Sequence, residues 1–82
     1  MDSYEEVLAK VKENGWALQF ASDRLKDDKD IVMAAIQQYG WVLKHASNRL
    51  KDDNDVVLAA VQINPRVLQF TSNRLRIQWQ RL

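Results

Sequence analysis

The chain has 82 residues, of which 46% are apolar and 28% charged. That suits one small folded domain and excludes a disordered chain. The absence of cysteine excludes a disulfide framework and a thiolate metal site. The formal net charge of +1 argues against wholesale wrapping of nucleic acid, although it hides a basic end. No apolar run approaches the roughly 20 residues of a membrane-spanning helix. The opening Met1-Asp2-Ser3-Tyr4 lacks the basic and apolar regions of a signal peptide, so the expected location is the cytoplasm or another intracellular compartment.

Read in chain order, residues 1–25 predict two short helices. Asp2-Ser3-Tyr4-Glu5 is an acid-rich start, able to accept the orphan N–H groups of a first turn. Val7, Leu8 and Val11 follow at helical rather than alternating spacing. Gly15 is expected to end this helix in the left-handed region. A second helix is predicted over 16–25, with Leu18, Ala21 and Leu25 as its apolar stripe.

The same sentence is then written twice more. Asp27-Asp28-Lys29-Asp30 opens a helix carrying Val32, Met33 and Ile36, Gly40 ends it, and Leu43, Ala46 and Leu50 stripe a helix over 41–50. Next, Asp52-Asp53-Asn54-Asp55 precedes Val57, Leu58 and Val61; Asn64-Pro65 makes the break, and Leu68, Thr71 and Leu75 stripe a helix over 66–75. Pro65 suits the first turn of a new helix and disfavours helical geometry at Asn64. Laying 26–50 on 51–75 gives 14 identities in 25 positions, and laying 1–25 on 26–50 gives 10. Ala9, Ala34 and Ala59 recur where a neighbouring helix could approach closely. A fixed period of this kind signals a repeat architecture, and helices this short need mutual burial to persist. The expected fold is all-α, with six short helices forming three stacked αα-hairpins at a 25-residue period. It is read as one helical-repeat domain of units 1–25, 26–50 and 51–75 plus a C-terminal extension, 76–82. Leu43, in the middle unit, is expected in the core.

The run from Asp52 to Leu75, matched by Asp27 to Leu50 and less fully by 1–25, resembles the repeat known as domain of unknown function 4116. The resemblance spans about residues 2–75. It implies short tandem helical repeats, often within longer proteins, and no activity, substrate or catalytic residue. Pro65 and the segment after Leu75 depart from the pattern and suggest a unit that closes the array.

No residue set offers a nucleophile with a base, paired carboxylates or a metal site, so no catalytic or cofactor-binding residue is assigned and the chain is not read as an enzyme. His45 stands where Phe20 and Phe70 recur, without a second histidine or a cysteine, and reads as a half-buried packing residue. The Asp27-Asp28-Asp30 and Asp52-Asp53-Asp55 clusters lack the glycine and final glutamate of a calcium loop, and capping accounts for them. Arg24, Arg49 and Arg74 recur once per unit. They could form a ligand-binding ladder, but the simpler reading is a bridge to the next acidic cap, Arg24 to Asp28 and Arg49 to Asp53. Ser22, Ser47 and Ser72 are expected to bond back to a carbonyl four residues earlier or to tie down a turn. Trp16 and Trp41 share a register position that Arg66 takes in the third unit; they pack over the turns or form an exposed anchor pair.

The stripe Leu68, Thr71, Leu75, Trp79 and Leu82 continues beyond the repeat, flanked by Arg74, Arg76 and Arg81. It folds back as a cap, contacts a partner helix or second copy, or lies as a basic amphipathic segment on an anionic membrane or nucleic acid. The candidate interaction surface is therefore Trp16, Trp41, Arg24, Arg49, Arg66, Arg74, Trp79 and Arg81. An unidentified protein partner or a homo-oligomer is favoured; nucleic acid and membrane come second, and no metal or cofactor is expected.

Overall fold

The computed structural model describes residues 3–80, apart from the side chains of residues 79 and 80. Three stretches share one order of α-helix, 3-10 helix, α-helix. The first is α1 (Tyr4–Glu13), η1 (Gly15–Phe20) and α2 (Asp23–Lys26); the second is α3 (Lys29–Ile36), η2 (Gly40–His45) and α4 (Asn48–Lys51). The third is α5 (Asn54–Ile63), η3 (Pro65–Phe70) and α6 (Asn73–Gln80). The all-helical expectation stands, and the helices meet in repeated contacts.

The long first helices start where the polar caps dictate. Ser3 accepts from the Glu6 N–H, Asp28 from that of Ile31, and Asp53 from those of Asp55 and Val56. Each second helix differs from expectation, because it is broken in two. The backbone is extended at Ala21, Ala46 and Thr71, and Ser22, Ser47 and Ser72 then cap a new helix by accepting from the N–H groups of Leu25, Leu50 and Leu75. These serines cap forward, and Ser47 and Ser72 donate their hydroxyl hydrogens to Asp27 and Asp52. The i, i+3 spacing of Leu18 and Ala21 suits a 3-10 turn as well as an α-helix, which is why the stripe concealed the break. The helices α2 and α4 last one turn, since the chain must release Asp28 and Asp53 to cap α3 and α5. Arg76-Ile77-Gln78 offers no such cap, and α6 runs on to Gln80.

Neither glycine has positive φ. The left-handed expectation is thus overturned; the glycines serve space instead. A Cβ on Gly15 would lie 2.6 Å from the Ala35 carbonyl oxygen, and one on Gly40 would lie 3.1 Å from that of Ala60. Glycine lets each 3-10 turn press against the first helix of the next unit.

That pressing organises the core. Helix α3 lies against both α1 and η1, α5 lies against both α3 and η2, and η2 touches η1 and η3. The molecule extends along the stack, 39 × 20 × 16 Å. Val7, Leu18, Leu25, Ile31, Ile36, Leu43, Leu50 and Val56 are wholly buried, as Leu43 was expected to be.

Candidate interaction surface

Among the described residues, one clamp ties the end of α2 to the start of α4 and recurs between the end of α4 and the start of α6. The Ser47 N–H donates to the Lys26 carbonyl at 3.0 Å. The Ser47 hydroxyl donates to Asp27 Oδ1 at 2.5 Å, and Arg49 Nε donates to the same oxygen at 2.8 Å. Arg49 Nη2 reaches the Asp27 carbonyl at 2.6 Å. One unit on, Ser72 and Arg74 hold Asp52 in the same way, with Ser72 Oγ at 2.5 Å and Arg74 Nε and Nη2 both at 3.0 Å. The Ser47 hydroxyl first, then Arg49, holds the Asp27 carboxyl below its ordinary value; Ser72 does so first for Asp52. The expected bridge from Arg49 to Asp53 is therefore replaced by one running backward, to Asp27 at the C-cap of α2. Arg24, Arg49 and Arg74 all lie at the surface, on α2, α4 and α6, and the last two are held by Asp27 and Asp52.

Two other ties differ between the junctions. The Gln38 amide accepts from the Gly15 N–H at 2.9 Å and donates to the carbonyls of Val11 and Lys12. Its register counterpart is Ile63, which is 46% exposed. Lys29 pairs with Asp55 at 3.0 Å and Asp53 at 3.3 Å.

Trp16 and Trp41 are half-buried, each under an aromatic ring of the following unit. Trp16 meets His45 edge-on at 6.1 Å and Tyr39 at 6.0 Å, with Lys44 Nζ 5.7 Å from its centroid. Trp41 meets Phe70 edge-on at 5.3 Å. Arg66, in the third unit, is exposed. The Trp79 side chain and Arg81 lie outside the described residues, and with them the question of the tail's cap or contact.

The surface that residue-by-residue reading missed lies between α5 and η3. In the preceding units the corresponding groove holds α3 or α5; among the described residues no helix packs on both α5 and η3 to that extent, and α6 meets η3 only lightly. The effect shows in burial at matched positions. Val11 and Ile36 are wholly buried, as are Leu18 and Leu43, whereas Val61 and Leu68 are only half-buried. Leu58 is 40% exposed and joins Ile63 at this end. Pro65 stands where Gly15 and Gly40 allow close approach. The signal in the sequence was this substitution, together with the unpaired apolar Leu58, Val61 and Ile63.

The profile of a family described as domain of unknown function (DUF4116) matches residues 4–49 and again 35–76. This chain belongs to the DUF4116 family. The two overlapping matches mark DUF4116 as a motif that recurs within the chain, in line with the resemblance drawn from Asp27–Leu50 and Asp52–Leu75. No curated protein and no solved structure matches it. Among the described residues of this DUF4116 chain no group of three or more metal-ligand side chains gathers, and no helix is long and apolar enough to cross a membrane.

Proposed function

We propose that the three units form one 25-residue-period array that acts as a non-catalytic protein-interaction module. Its docking site is the groove between α5 and η3, and the occupant is an apolar partner helix. The observation that carries this reading is continuity: the same groove is filled by α3 and then by α5 one and two units earlier. Those occupants define the partner's chemistry. Each presents a β-branched residue and, one turn on, an alanine, Ile31 with Ala35 and Val56 with Ala60, all wholly buried. Pro65 holds an incoming helix further off than the glycines do, which favours a partner distinct from a fourth identical unit. The basic-surface reading has less support, because Arg74 is engaged with Asp52 and Arg76 with Asn73.

A photo-crosslinker placed at Ile63, and separately at exposed Lys12, tests the proposal in cell extract. Crosslinks at Ile63 to one amphipathic helical segment, lost when Leu58 is replaced by Asp, are expected. Equal adducts from Lys12, or adducts unaffected by Leu58→Asp, would overturn the groove as the docking site.

A further inference from the structure

The middle unit breaks the repeat at one point that coincides with a cleft. Gln19-Phe20 and Gln69-Phe70 flank Lys44-His45 in the register. The cleft at that place has a volume of about 370 Å³, and Asp23, Lys26, Lys44, His45 and Ser47 help to line it. This lies within the roughly 300–1,000 Å³ of small-ligand sites. Its walls come from α2, from the end of η2 and from the start of α4, so it straddles the junction of the first two units.

The charges there are unbalanced. Lys26, Lys44 and Lys51 take part in no ion pair among the described residues, whereas Lys10, Lys29, Arg49 and Arg74 do. All three lysines act electrostatically on His45. Asp23 is the one acid among the lining residues. The nearby Asp27 carboxylate is already taken up by the Ser47 hydroxyl and Arg49. Trp16 fixes the other side: its ring meets His45 edge-on and carries Lys44 Nζ at 5.7 Å, so two groups of the cleft are oriented before any ligand arrives.

We propose that this cleft binds a phosphate group, with Lys26 and Lys44 as its principal cations and His45 as a proton-dependent third donor. Two lysines, supplemented by Lys51, outweigh Asp23 and suit a dianion. Burial, then the lysines, hold the free His45 imidazole below its ordinary value, so it becomes a charged donor only as an anion binds or the pH falls. The phosphate arrives either as a small free anion or on a phosphorylated protein segment.

His45 is the sole histidine, so its imidazole resonances report the site directly. Titration of the whole chain with inorganic phosphate, and in parallel with a phosphoserine tripeptide, should shift those resonances saturably. Bound phosphate should also raise the His45 titration midpoint, since a nearby anion favours imidazolium. Lys44→Gln installs the residue of the flanking units and should weaken binding roughly tenfold. Lys12→Gln likewise installs its register counterpart, away from the cleft, and should leave binding unchanged. Tighter binding of the tripeptide assigns the site to a phosphorylated segment; equal or weaker binding assigns it to a free phosphate. No saturation by either probe up to about 10 mM, or equal weakening by the two substitutions, would overturn the proposal.

Discussion

At the scale of single residues, Gly15 shows a glycine required for room rather than for backbone freedom. Its neighbour is backbone: the Ala35 carbonyl would meet an added Cβ at 2.6 Å, and a carbonyl inside a helix cannot step aside cheaply. Gly15→Ala is expected to destabilise by roughly 1–3 kcal/mol, as overpacking does. At Gly40 the same approach is 3.1 Å, so Gly40→Ala should stay within about 1 kcal/mol of wild type, the lost flexibility of the unfolded chain offsetting a small shift. Urea unfolding of the two variants side by side checks the order. Asp27 and Asp52 make the matching electrostatic case. Their carboxyls titrate below the ordinary 3.8 in the folded chain, so their contribution is complete above that value and is lost as pH falls through the depressed one. The urea midpoint should therefore hold steady down to about pH 5 and decline below it. Replacing both with Asn should make that decline shallower; an unchanged slope would remove the clamp from the acid response.

At the scale of elements, the serines decide where helices begin. Ser47 performs two tasks, capping α4 through the Leu50 N–H and donating to Asp27 at the end of α2. Ser47→Ala should cost about 1 kcal/mol as a lost cap, and Asp27 should titrate closer to its ordinary range, a change visible by carboxyl NMR. A loss confined to stability, with Asp27 unmoved, would reduce Ser47 to a cap. The long helices were legible because capping and apolar periodicity agree: Asp28 before Ile31, Val32 and Ile36 admits little else. The broken second helices were not, because Leu18, Ala21 and Leu25 satisfy a continuous α-helix and a 3-10 turn followed by a fresh cap equally well. Arg49 illustrates a second limit. Sequence shows an acid four residues ahead, Asp53, and another 22 behind, Asp27. Only the stacking of units chooses between them, and it chooses the distant one.

At the scale of the whole molecule, the two ends of the stack are built differently. On α3 and α5, Ile31, Ala35, Val56 and Ala60 are wholly buried, and the Ala35 and Ala60 carbonyls face the glycines of the preceding unit. On α1 the same register holds Glu6 and Lys10, an exposed pair 3.5 Å apart that contributes little stability itself. The role expected of it is exclusion: two charges on this face should disfavour entry of α1 into the groove of another copy. Glu6→Ile with Lys10→Ala would remove that barrier and give α1 the face that fills the two interior grooves. A buried isoleucine is worth about 1.5–3 kcal/mol, against an association cost of roughly 4–15 kcal/mol, so contact should appear only at high protein concentration. The docking is heterologous, α1 of one copy into the α5–η3 groove of the next, and does not close on itself. Sedimentation velocity should show the weight-average mass of the double variant rising with concentration beyond that of wild type. Adding Pro65→Gly, which readmits close approach, should move the rise to lower concentration. Leu58→Asp in the same background should abolish it. A double variant that sediments as wild type does would mean that the polar pair on α1 is not what bars this contact.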